Sequence, residues 1–152
     1  MANWPAAFRH GDIRRKADVI MTAGREGRGV GMPARTPDPA GEANVSVVAA
    51  ALDRGDEPEK RDLRSAARFL LHELARVSPG RSVEIRVVPV AAVQAVAGPR
   101  HTRGTPPNVV ETDPLTWFKL ATGRLAWEEA VRTGMVQASG PRSDLSTYLP
   151  LT

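Results

Sequence analysis

The loop at residues 98–107 (GPRHTRGTPP) carries the side chains that are best suited to binding a charged group. It holds His101 and Arg103 among glycines and prolines, and loops between rigid elements are where binding residues gather. An arginine can bind a carboxylate or a phosphate through two parallel hydrogen bonds. We therefore treat His101 and Arg103 as candidate ligands of an anionic head group. The alternative is that Arg103 pairs with Glu111 or Asp113 and only holds the loop in place.

The remaining histidines and glycines do not build a catalytic or metal-binding motif. His10 lies in a Pro- and Gly-rich segment, and His72 lies off the apolar stripe of a helical pattern, where a surface position is expected. The sequence contains no HExxH or GxSxG pattern, and the glycines at 24–31 lack the Gly-Lys-Ser/Thr of a phosphate loop. The lack of cysteine excludes disulfides and thiolate sites. We expect a protein that is not an enzyme, with no metal and no cofactor.

Large aromatic side chains concentrate in the C-terminal third of the chain. Trp117, Phe118 and Trp127 lie close together in sequence, on two predicted helices. Because adjacent residues of a helix point about 100° apart, Trp117 and Phe118 cannot fill one pocket equally. Short helices that carry aromatics over a sheet either build a core or line an apolar cavity. The residue types alone leave both arrangements open.

Periodicity predicts an α+β fold from residue 45 onward. Alternating or apolar runs predict strands at 82–88, 90–96, 108–112 and 135–139. Residue types that are typical of helix starts and helix ends predict helices at 45–53, 56–77, 113–122, 125–133 and 143–149. Asp56 and Ser143 are the predicted caps of the second and last of these helices. We expect a mainly antiparallel sheet of about four to five strands covered by helices.

Residues 1–44 differ in composition from the rest of the chain. They are rich in Pro and Gly and poor in large aliphatic residues, which predicts a disordered N-terminal extension before a domain at 45–152. Translation from Met32 is an alternative that would make residues 1–31 a miscalled start. The chain has 21 Lys and Arg against 17 Asp and Glu, and Arg14-Arg15-Lys16 could touch nucleic acid, although a solvated arm with no specific nucleic-acid role is the simpler interpretation. No apolar run predicts a transmembrane segment or a secretory signal, so we expect a cytoplasmic protein.

Residues 112–149 resemble the C-terminal signature of the sterol carrier protein superfamily. The matching positions are Trp117, Gly123-Arg124, Ala130, Gly134, Val136, Ser139-Gly140, Asp144 and Leu145. The upstream segment at 98–114 (GPRHTRGTPPNVVETDP) looks like that of the small actinobacterial branch, the bacterial sterol carrier family proteins. The resemblance covers about residues 45–152.

This resemblance implies a sheet and helices around an apolar tunnel that holds a fatty acyl chain, an acyl-CoA or a sterol-like lipid without catalysis. The residues expected to border the tunnel are Trp117, Phe118, Leu120, Trp127, Val131, Val136, Leu145 and Leu149. His101, Arg103 or Arg124 would hold the head group at its mouth. The alternative is a structural or protein-interaction module of the same fold, in which the pocket has closed.

Overall fold

The computed structural model describes residues 38–99, 104 and 106–151. In chain order its elements are α1 (Pro39–Asp53), α2 (Lys60–Val77), β1 (Val83–Val87), β2 (Ala91–Ala95), β3 (Val109–Thr112), α3 (Pro114–Ala121), α4 (Trp127–Arg132) and β4 (Val136–Ser139). The four strands are those that the sequence predicts, to within one residue at each end. The extension remains a prediction for residues 1–37, as does the alternative start at Met32, since these residues lie outside the described part of the chain.

Helix α1 begins before the predicted residue 45, within the segment that composition marks as an extension. The Asp38 carboxylate accepts a hydrogen bond from the amide of Gly41 at 2.8 Å, and Pro39 is the first helical residue. An aspartate cap followed by proline is a strong helix start. The high Pro and Gly content of this region conceals that local signal.

The four strands form one mixed sheet in the order β2-β1-β3-β4. The outer pairs, β1 with β2 and β3 with β4, are antiparallel, while the central pair β1 and β3 is parallel. The parallel pair arises because the chain leaves β2 at one edge and returns on the other side of β1. The predicted α+β fold with a mainly antiparallel sheet and covering helices is confirmed.

The sheet has one apolar and one polar face. Val83, Ile85 and Val87 are buried on one side of β1, and the register places Val110 beside Ile85 on that side. Helix α2 packs against β1 and β2. On the other side, Arg86 lies 2.6 Å from the Glu84 carboxylate. This alternation is the period-two pattern of a half-buried strand.

Helix α2 starts later than predicted and has buried residues on more than one of its faces. Its N-cap is Glu59, which makes no side-chain cap bond, while the expected cap Asp56 accepts a hydrogen bond from Arg54 instead. Adjacent residues of α2, which point in different directions around the helix, are buried together, among them Phe69, Leu70 and Leu71. The additional burial arises because α2 packs against α1 as well as against the sheet.

The predicted helix at 143–149 is wrong, and that segment contains only a turn. The Ser143 hydroxyl donates to the carbonyl of Gly140 at 2.7 Å and caps no helix. Farther on, the amide of Leu151 donates to the carbonyl of Ala121 at the end of α3, at 2.9 Å. This tertiary bond holds the chain end on α3, and the leucines at 145, 149 and 151 are buried without a helix.

Candidate functional site

A cleft of about 320 Å³ lies between the end of α3, the start of α4 and the C-terminal segment. Its lining is mostly apolar, from Leu120, Leu125, Ala126, Trp127, Leu149 and Pro150. Gly123, Glu128 and Ser146 complete it. A concave, mainly apolar surface with few polar groups is the usual form of a small-molecule site.

Helix α3 forms one wall of the cleft, and both of its ends are determined by local signals. At the start, the Asp113 carboxylate accepts hydrogen bonds from the amides of Leu115 at 2.9 Å and Thr116 at 3.0 Å. At the end, the amide of Gly123 donates to Leu120 and the amide of Arg124 donates to the carbonyl of Lys119 at 2.7 Å. These two bonds form a Schellman motif, which turns the chain so that the linker to α4 runs beside Leu120.

The Arg124 side chain is not among the residues that line the cleft and makes contacts within the protein. Its Nη2 donates to Oδ1 of Asp53 at the end of α1, at 2.9 Å. Its guanidinium carbon lies 5.9 Å from the centre of the Phe118 ring, within the range of a cation–π contact. The Arg124 side chain is only 14% exposed. Its charge is therefore balanced within the protein by the Asp53 carboxylate.

Helix α4 and the C-terminal segment form the other walls. Trp127 is the first residue of α4 and is 9% exposed, so its ring is nearly buried but reaches the cleft surface. Leu149 is 8% exposed and lines the same space. The bond from Leu151 to Ala121 holds this segment against α3. Parts of the chain that are far apart in sequence thus meet around the cleft.

Three of the predicted tunnel residues line the cleft, namely Leu120, Trp127 and Leu149. The others lie elsewhere. Trp117, Phe118, Val136 and Leu145 belong to the buried core, and the first two are completely inaccessible to solvent. Val131 is 40% exposed on α4 and does not border the cleft.

The two predicted head-group ligands, His101 and Arg103, lie outside the described residues. The carboxylates proposed as alternative partners of Arg103 have contacts of their own: Glu111 lies 3.8 Å from Arg86, and Asp113 caps α3. The roles of His101 and Arg103 remain predictions.

Asn108 anchors the point at which the 98–107 loop rejoins the sheet, a role that the sequence analysis missed. Its Nδ2 donates to the carbonyl of Ser82 at 2.8 Å, and its Oδ1 accepts from the amide of Arg142 at 2.9 Å. Asn108 is 5% exposed, so both bonds are shielded from water. It joins the start of β1 to the turn after β4.

Several lining residues were also missed. Leu125 follows a helix-ending glycine, and an apolar residue near that position often packs back on the helix, so this signal was available. Ser146 and Pro150 carried no such signal, because their segment has a helical pattern that tertiary contacts override. Glu128 resembled any other solvent-facing acid of a short helix.

Metal-binding and membrane-spanning features were sought over residues 38–99, 104 and 106–151. No group of three or more acidic or histidine side chains in that part of the chain is arranged to hold a metal ion. No helix there is long and apolar enough to cross a bilayer.

Comparison with known proteins relates the chain to one family. No curated protein matches it. The model of a family described as bacterial SCP ortholog matches residues 59–151, which is more than half of the chain and includes every element except α1. The matched region contains all of the residues that line the cleft. The chain therefore belongs to this bacterial family of sterol carrier protein-like proteins.

Proposed function

We propose that this protein is a non-catalytic carrier that binds the apolar part of a lipid-like molecule in the cleft beside Trp127. The observation that carries the proposal is a mainly apolar cleft on a chain of a sterol carrier protein-like family. A fatty acyl chain, an acyl-CoA or a sterol-like lipid presents the kind of surface that such a cleft would remove from water. Holding and releasing such a tail makes and breaks no bond, so the proposed role needs no catalytic residue.

The size of the cleft favours a single acyl chain. Its volume of about 320 Å³ lies at the lower end of the range of about 300–1,000 Å³ that is usual for small-molecule sites. Each buried methylene contributes about 0.8 kcal/mol, while association costs at least about 4 kcal/mol. We therefore expect chains of roughly ten carbons to be needed for measurable binding.

Calorimetric titration with a series of straight-chain alcohols tests this proposal. Affinity should rise by about fourfold per added methylene until the cleft is filled, and should then level off. The Ala126→Phe variant should abolish binding, since Ala126 is an exposed lining residue whose enlargement fills the cleft. Val131→Phe is the matched control on the exposed side of α4 and should bind normally. Equal affinity of the two variants would rule out the cleft as the site.

The predicted anionic head-group contacts of His101 and Arg103 are a hypothesis separate from the carrier proposal, and they have a test of their own. Single alanine variants of these two residues should weaken binding of a fatty acid without affecting binding of the matching alcohol. Unchanged fatty-acid affinity in both variants would remove these residues from the site.

A structural or protein-interaction module of the same fold is the second candidate. It is favoured by the complete burial of Trp117 and Phe118, two residues that the family resemblance assigned to the tunnel. If these rings only fill a core, the pocket of the superfamily is largely closed in this chain. A lack of alcohol and fatty-acid binding by the wild-type protein would favour this candidate over the carrier.

A further inference from the structure

The cleft has one charged lining residue, and its charge is negative. Glu128 lies in the first turn of α4 and is exposed at the cleft surface. Within the described part of the chain, its carboxylate makes no hydrogen bond or ion pair. Two neutral lining side chains can also form hydrogen bonds, namely the Ser146 hydroxyl on the C-terminal segment and the indole N–H of Trp127.

The nearby arginines do not offset the charge of Glu128. Arg132 holds the neighbouring Glu129 through hydrogen bonds of 2.7 to 3.0 Å. Arg124 pairs with Asp53 at the end of α1.

Two further charged residues lie next to cleft-lining segments. Lys119 precedes the lining residue Leu120 on α3 and lies about one turn before the lining residue Gly123. Asp144 is exposed, and its Oδ1 accepts a hydrogen bond from the amide of Ser146 at 2.8 Å, which places a second carboxylate near the rim. Among the described residues that line the cleft itself, the only charge is that of Glu128.

From this arrangement we infer that the cleft selects lipids whose polar end is neutral or cationic and disfavours those with an anionic end, with Glu128 as the specificity-determining residue. The inference rests on the proposed carrier function. A fatty-acid carboxylate at the mouth would face the Glu128 carboxylate, whereas an ammonium would be attracted to it. An alcohol could exchange a hydrogen bond with Ser146 without an electrostatic penalty.

Three ligands with the same apolar tail and different head groups separate the effect of head-group charge on affinity from the effect of the tail. The full-length protein is titrated calorimetrically with decylammonium, decanol and decanoate at about pH 7, where the first is protonated and the last is ionised. Affinity should fall in that order, by about two- to fivefold at each step, which is the size of one exposed charge pair. The differences in affinity between the three ligands should become smaller at about 0.5 M salt, because salt screens exposed charges.

Variants at position 128 test whether the Glu128 carboxylate causes this order of affinities. Glu128→Gln should bring the three affinities together, and Glu128→Lys should reverse their order. Glu129→Gln is the matched control, since Glu129 is the next acid on the same helix, does not line the cleft and pairs with Arg132. It should keep the wild-type order. Because Glu128 is exposed, all three variants should keep the wild-type circular dichroism spectrum.

Failure of this inference can be distinguished from failure of the carrier proposal. Decanoate binding to the wild type at least as tightly as decanol, or an unchanged ligand order in both Glu128 variants, would overturn the selectivity while leaving a carrier. Such a result would instead support anionic head-group binding through His101 and Arg103. Absence of binding by all three ligands, or binding that survives in Ala126→Phe, would overturn the cleft as a lipid site and the selectivity with it.

Discussion

Nη2 of Arg124 donates a hydrogen bond to Oδ1 of Asp53 at 2.9 Å, although 71 residues separate the two. Asp53 is the last residue of α1, and Arg124 lies in the linker between α3 and α4, between the lining residues Gly123 and Leu125. This ion pair therefore connects the first helix to the wall of the cleft.

We expect the pair to make a modest but measurable contribution to stability. Arg124→Ala removes both the ion pair and the contact with the Phe118 ring, and should lower the free energy of unfolding by about 1–2 kcal/mol. Asp53→Ala removes the ion pair alone and should cost about 0.5 kcal/mol. Urea unfolding of both single variants and the double variant gives the coupling energy. A coupling energy of zero would mean that the pair does not contribute.

Asn108→Ala should be among the more destabilising polar substitutions in the protein. It leaves the carbonyl of Ser82 and the amide of Arg142 without their buried partner, and each loss costs about 1–3 kcal/mol. Gln137→Ala on the exposed part of β4 is the control and should change stability by at most about 0.5 kcal/mol. Similar unfolding midpoints for the two variants would contradict the anchoring role of Asn108.

Gly140 and Gly134 provide a matched test of how closely the turn after β4 packs against the 98–107 loop. Both glycines have positive φ, 94° and 75°, so alanine is strained at either position by about 1–2 kcal/mol. A Cβ on Gly134 would meet open space, whereas one on Gly140 would lie 2.1 Å from the carbonyl oxygen of Pro107. Gly140→Ala should therefore cost at least about 1–3 kcal/mol more than Gly134→Ala in denaturant unfolding. Equal costs would show that Pro107 can move away freely.

The cap of α3 should make stability depend on pH in the acid range. Although partial burial opposes it, hydrogen bonds from the Thr116 hydroxyl and from the amides of Thr116 and Leu115 hold the pKa of Asp113 below its usual value. The stabilisation is fully present above the unfolded-state pKa of about 3.9 and is lost as the pH falls through the lower folded-state pKa.

Two substitutions of Asp113 distinguish the stabilisation that comes from its capping hydrogen bonds from the part that depends on its negative charge. Asp113→Asn keeps a capping side chain but should remove this part of the acid dependence, while Asp113→Ala should cost about 1 kcal/mol at neutral pH. Thermal unfolding between about pH 2 and 7 measures both effects. An Asp113→Asn variant with the same acid dependence as the wild type would show that other groups cause it.

Much of the fold could be predicted from the sequence because its signals are local. The alternation of Val83, Ile85 and Val87 predicts β1, and the Asp113-Pro114 cap predicts the start of α3 within one residue. Gly123 likewise marks the end of α3. In each case the residues that determine the element lie within it or next to it.

Less of the candidate site could be predicted in this way. Of the residues predicted to border a tunnel, Leu120, Trp127 and Leu149 line the cleft, whereas Trp117 and Phe118 are buried in the core. An apolar pattern shows that a side chain avoids water without showing whether it meets protein or ligand. Ser146 could not be found, since its segment looks helical until its contacts are known.

By itself, the sequence determined the strands, the cap of α3 and membership of a sterol carrier protein-like family, since these depend on residue types at short spacings. Tertiary structure alone decided the parallel pairing of β1 with β3, the non-helical C-terminal segment, the pairing of Arg124 with Asp53 and the negative lining of the cleft. The physical reason is that each of these features depends on groups that are distant in sequence and adjacent only after folding. The amide of Leu151, for example, can hold the chain end against α3 only because α3 already presents the free carbonyl of Ala121.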